Sequence, residues 1–148
     1  MKLYLRISAF LATVLLCSWA LAQEAPQVQR HDLMEDVGAA AKQIGRMLEG
    51  ETSFDAARAM NSFETWQSAS GEFGDMFPAG SETGYDTRAK LAIWSNRIAF
   101  NEALEAWGDA VDAAIAANPQ DLEALKAAAG PVFKKCKACH EEFREEKD

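Results

Sequence analysis

Apolar side chains recur along this chain at three- and four-residue intervals, and no segment shows the alternation of a strand. β-branched residues are scarce as well. Four stretches keep a helical period. The first covers 28–49, with Val28, Leu33, Val37, Ala41, Ile44 and Leu48 along one side. The second covers 53–70, with Phe54, Ala57, Met60, Phe63 and Trp66 as its stripe, and Thr52 with Asp55 has the spacing of a capping box. Four glycines and Pro78 between Gly71 and Tyr85 predict a loop. A third, unusually long helix is expected over 86–117, with Leu91, Trp94, Ile98, Leu104, Trp107, Val111 and Ile115 on one broad face. Asn118-Pro119 ends it and opens the fourth, which carries Leu122, Leu125, Ala129, Val132, Cys136, His140 and Phe143 at three- and four-residue spacings. Pro131 removes a backbone donor there, predicting a kink or break near Gly130. Four amphipathic helices with mostly short connections predict an all-α fold, an antiparallel up-down-up-down four-helix bundle.

The first 22 residues do not belong to that bundle. Lys2 and Arg6 form a basic start, an apolar run follows, and Ala20-Leu21-Ala22 matches a small-residue cleavage site. The expected division is a cleaved secretory signal over 1–22 and one domain over 23–148, exported to the periplasm. The apolar run is too short to span a bilayer, so no stable membrane anchor is expected. Cys17 follows Leu16 rather than a small residue, which argues against lipidation, and cleavage after Ala22 discards it. Loss of Lys2 and Arg6 leaves 13 basic against 23 acidic side chains, taking the net charge from −8 to −10. Nucleic acid is excluded as a partner, because phosphate contacts need clustered Lys and Arg.

The domain then holds two cysteines, in Cys136-Lys137-Ala138-Cys139-His140, the attachment sequence of c-type haem. On a helix, residues at i, i+3 and i+4 share a face, so two thiols and an imidazole converge on one object. The thiols would form thioethers to the haem, and His140 would place a nitrogen on its iron. Other readings of the same residues stay open. A redox Cys-x-x-Cys usually opens a helix after a strand, and no strand is predicted. A structural zinc site needs a fourth ligand, and the domain has no second cysteine pair. A plain disulfide leaves His140 without a role.

A haem attachment motif at the end of a four-helix chain resembles the class II cytochromes c, comprising the cytochromes c′ and the c556 type; cytochrome c′ is a standing example of the up-down-up-down bundle. The resemblance spans 23–148. It includes Leu48-Glu49-Gly50-Glu51, Phe77-Pro78, Arg88-Ala89-Lys90, Ile93-Trp94-Ser95 and Phe143-Arg144, although Leu91 stands where the family often has proline. It implies one covalently attached haem c. Registered on Leu48-Glu49-Gly50-Glu51, it implies Met34 at the distal haem position and Arg30 at the arginine that contacts a propionate. Arg30 and Met34 are four apart and share a helix face. Gly38, one turn on, would let the backbone approach the macrocycle. Arg144 matches the basic residue beside the proximal histidine.

In the c556 type a distal methionine coordinates iron; in five-coordinate cytochromes c′ an apolar distal residue blocks that position. The resemblance therefore implies a non-enzymatic single-electron carrier with His140 and Met34 as ligands, or else a binder of nitric oxide or carbon monoxide. A homodimer through the first two helices is implied as well. The acidic balance predicts redox partners with a basic docking patch. Lys135 and Lys137 flank the cysteines as candidate docking charges. His31 is a candidate metal ligand beside Arg30, and Trp66, Trp94 and Trp107 are expected in the core, one of them against the haem.

Overall fold

A computed structural model describes residues 24–146, so the expected signal over 1–22, with Cys17, lies outside the described residues. The described chain forms α1 Pro26–Leu48, α2 Ala56–Glu72, the single turn α3 Ala92–Ser95, α4 Arg97–Ala117 and α5 Leu122–Phe143. α1 packs on α2, α2 on α4, α4 on α5 and α5 on α1, closing the expected bundle of four long helices. Among the described residues there is no strand, only an isolated antiparallel bridge between Ala89 and Arg144.

Local chemistry shifts several boundaries. α1 starts with Pro26 in its first turn, where the missing N–H has no helical partner to lose. It ends before Gly50, whose φ of 76° lets Glu51 and Thr52 return their N–H groups to the Arg46 carbonyl. The cap of α2 is Asp55, not Thr52: its carboxylate accepts from the Arg58 N–H at 3.0 Å. α2 runs on through Gly71 into a 3₁₀ turn, Phe73–Met76, so the irregular loop begins later than the glycines suggested.

The long third helix expected over 86–117 is divided. Tyr85 and Asp86 both stand at φ 51°, in the left-handed region, and Asn96 (φ −131°, ψ 61°) separates α3 from α4. The Asn96 side chain caps the new helix, accepting from the Ala99 N–H at 3.3 Å. The break resets the rotation of Leu91, which precedes it, while Ile98, already inside α4, falls off the face that carries Phe100, Leu104, Trp107 and Val111. Leu91 and Ile98, placed on the buried face by a continuous period, are 64% and 74% exposed, whereas Leu104, Trp107 and Val111 are buried. Pro131 has the opposite outcome: α5 passes through it unbroken. The donor it lacks would have met the carbonyl of Ala127, an exposed residue where water can serve instead.

Ile44, Met47, Phe63, Trp66, Val111, Leu125 and Val132 form the fully buried core. Trp66 ties α2 to α1 by donating its indole N–H to the Val37 carbonyl at 3.0 Å, and its ring meets Phe133 of α5 edge-on at 5.5 Å. Phe77 is a second centre, with Phe73, Trp94 and Phe100 at centroid distances of 5.0, 5.6 and 4.9 Å. Phe100 continues to Phe143 at 5.2 Å, so the loop and the end of α5 share one aromatic layer.

Candidate functional site

Helical spacing gives α5 one chemically distinctive face: Phe133, Cys136, Cys139, His140 and Phe143 all line a cavity of about 520 Å³. That is within the range of cofactor sites, roughly 300–1,000 Å³. α1 supplies another wall with Arg30, Met34 and Gly38, and α4 contributes Phe100, Leu104 and Trp107. The six site residues expected from sequence, Cys136, Cys139, His140, Met34, Arg30 and Arg144, therefore all meet at this one cavity. His31 stands exposed at its edge. Among the described tryptophans only Trp107 lines it; Trp66 is core, and Trp94 donates to the Pro78 carbonyl at 3.2 Å. Lys135 and Lys137 are exposed outside it, Lys137 pairing with Glu141 at 3.6 Å on the surface.

Burial sets the protonation of the α5 donors. It pushes both thiols up, Cys139 to about 11, where Cys136 and Glu142 add to the effect and Arg144 opposes it. Burial also lowers His140, and the nearby Arg144 and Arg88 charges lower it further. The imidazole is thereby held neutral near pH 7, with a lone pair free for a metal.

Four observations bear on what the cavity fits. Cys136 and Cys139 are free thiols rather than a disulfide. Among the described residues, the only His, Cys, Asp and Glu ligand atoms gathered within 4.8 Å are those of the exposed His31, Asp32 and Glu35, so Cys136, Cys139 and His140 do not close on a point as zinc requires. Their spread along a wall suits a flat, larger group. At Gly38 a Cβ would meet nothing within 4 Å, leaving the space before α1 open. Finally, Arg88 Nε and Trp107 Nε1 are buried without a protein acceptor, and Arg30, Arg88 and Arg144 outnumber Glu35 and Asp86 around the cavity. A haem, with its two carboxylates, fits this lining.

Arg30 is bound more tightly than its expected role required. It is 5% exposed, and its terminal nitrogens donate to the Met76 carbonyl (3.3 Å), Ser81 Oγ (3.1 Å), the Ser81 carbonyl (2.7 Å) and Thr87 Oγ1 (2.7 Å). Only its Nε–H is left for another acceptor. Burial lowers its pKa and Glu82 opposes the shift.

Phe133 was not singled out from sequence, although its position three before Cys136 puts it on the same helix face. Arg88 had no such signal. It reaches the cavity because the 88–90 segment pairs with the end of α5: Lys90 N–H donates to Phe143, Glu145 N–H to the Arg88 carbonyl, and the Arg88 guanidinium back to the Glu145 carbonyl.

Comparison with known proteins comes down on the same side. A family model described as Cytochrome C′ matches residues 26–144. The chain is 36% identical over 144 residues to a cytochrome c′ of Rhodopseudomonas palustris, covering 97% of this chain and 98% of that one. It is 30% identical over 129 residues to a cytochrome c-556 of Agrobacterium fabrum, with 87% of each covered. The solved structure of Rhodopseudomonas palustris cytochrome c′ superposes with a TM-score of 0.81 at 35% identity, over 85% of this chain and all of that one.

Proposed function

Because the chain belongs to the cytochrome c′ family, we propose that it is a c556-like periplasmic cytochrome, passing single electrons through a haem ligated by His140 and Met34. Family membership makes it a monohaem c protein with the cofactor covalently attached, and not an enzyme. When bound, the haem supplies the redox chemistry, its iron taking up and giving back one electron. The residues of the chain do the rest. Cys136 and Cys139 would hold the group as thioethers, so that it cannot diffuse away. His140, kept neutral by burial and by Arg144 and Arg88, would give a ring nitrogen to the iron. Met34 would give a soft thioether sulfur, which carries no proton to lose and raises the reduction potential. Arg30, Arg88 and Arg144 supply positive charge for the propionates, and the Phe133, Phe100 and Leu104 walls limit water at the site.

The observation that carries the reading is Met34 on the α1 wall of the cavity that His140 lines from α5. Relatives of both kinds match the chain, at 36% for a cytochrome c′ and 30% for a c-556, so the subtype rests on Met34. Export rests on the signal-like sequence over 1–22; among the described residues, no helix is long and apolar enough to cross a membrane. The acidic chain would dock on a basic patch of its redox partner, and α1 with α2 would form a homodimer face.

The test is an absorption spectrum of the exported holoprotein, ferric and ferrous, with and without carbon monoxide. Sharp split ferrous bands, a far-red methionine-to-iron band in the ferric form and no response to carbon monoxide are expected. Met34→Ala should abolish the far-red band. Broad high-spin bands that shift with carbon monoxide would instead mark a five-coordinate, gas-binding cytochrome c′. Absence of haem bands would overturn the cytochrome reading altogether.

A further inference from the structure

The loop between α2 and α3 has almost no regular structure, yet four side chains reach into its carbonyls. Gln27 donates to Thr83 (2.8 Å), Trp94 to Pro78 (3.2 Å), and Arg97 to Gly74 (2.5 Å) and Phe77 (3.4 Å). Arg30 makes the densest set, spending both terminal nitrogens on Met76, Ser81 and Thr87. Its guanidinium also stacks on Phe77 and Trp94, at 4.9 and 5.6 Å from the ring centroids. A buried cation this fully occupied is a fastening, since breaking it leaves a charge without partners in an apolar setting. What it fastens matters for the site. Gln27 and Arg30 lie one turn apart on α1, Met34 follows on the same face, and residues 85–88 at the far end of the loop line the cavity.

We propose that Arg30 is a positioning residue: it locks the 76–87 loop onto α1, and so sets the rotation of the helix face that presents Met34 and the placement of the 85–88 cavity wall. This rests on the Met34 reading above. The fork geometry carries the function, and charge alone does not suffice. Lysine is a point donor on a flexible stem and cannot reach these acceptors in one plane.

That difference separates the clamp from a propionate contact, in which a lysine charge would largely serve. Two holoprotein variants test it: Arg30→Lys, and the double variant Ser81→Ala with Thr87→Val, which leaves Arg30 in place and removes two of its acceptors. In both, amide hydrogen exchange over 81–89 should accelerate at least about tenfold, as local opening follows the loss of charge-assisted hydrogen bonds. In both, the far-red band should weaken while haem remains attached and the high-spin fraction rises. Wild-type exchange rates in either variant would overturn the clamp. Faster exchange with an unaltered spectrum in both would overturn its role in positioning Met34. The wild-type spectrum judges the Met34 reading separately: without a far-red band there, that reading fails, and the exchange rates still decide whether Arg30 holds the loop.

Discussion

Met34 sits one turn from Arg30 and one turn from Gly38, on a wall of the cavity that Cys136, Cys139 and His140 also line. In the role proposed for it, its thioether would be a soft donor with no proton to lose. Met34→Leu conserves volume and removes the sulfur, so the ferric protein should become high-spin with its melting temperature little changed, because such swaps cost under about 1.5 kcal/mol. A low-spin spectrum in that variant would mean another residue supplies the ligand. The same substitution should lower the reduction potential, since methionine ligation raises it; voltammetry reads the shift directly. Trp66 offers a contrasting case. Trp66→Phe deletes the N–H that ties α2 to the Val37 carbonyl, along with part of a fully buried ring, and should cost about 1–3 kcal/mol by denaturant unfolding. It should leave the spectrum unchanged, as Trp66 does not line the cavity.

The elements show where a periodic pattern holds and where a single residue overrides it. Across α4 the three- and four-residue spacing keeps Leu104, Trp107 and Val111 buried, and along α5 it brings Cys136, Cys139 and His140 onto one wall. On either side of Asn96 it fails. The expected stripe through Leu91 and Ile98 assumed one continuous helix; Leu91 lies before the break and Ile98 on the outer face of α4, and both face solvent. Asn96→Ala removes the cap of α4 and should cost about 1 kcal/mol, whereas Ile98→Ser should stay within about 0.5 kcal/mol. Equal losses at the two sites, read from chemical denaturation, would return Ile98 to the core. At Pro131 the error runs the other way. A proline signal is local, but whether the helix survives depends on whether water or protein can satisfy the freed carbonyl.

At the scale of the molecule, an acidic chain holds a cavity whose lining carries three arginines against two carboxylates. The interior charge suits a dianionic cofactor, and the outer charge should govern encounter with partners. Electron transfer to a basic partner should therefore slow as ionic strength rises from about 0.01 to 0.15 M, over which the screening length falls from roughly 30 to 8 Å. Stopped-flow rates that are flat across that range would remove surface charge from the docking scheme. The bundle also joins what the chain separates. Arg30 and Ser81 are 51 residues apart and Arg88 and Glu145 are 57 apart, yet both pairs are hydrogen-bonded around the cavity.

The sequence by itself determined that four long helices form, though not where the third begins. It also determined the shared α5 face of Cys136, Cys139 and His140 and the α1 face holding Arg30, Met34 and Gly38, because helical period and i, i+3, i+4 spacing are properties of adjacent residues. Tertiary structure alone decided that Arg88 joins the cavity and that Arg30 spends its donors on the 76–87 loop. Those facts depend on which carbonyls and rings the packed bundle brings within about 3–5 Å, and no local pattern records that proximity.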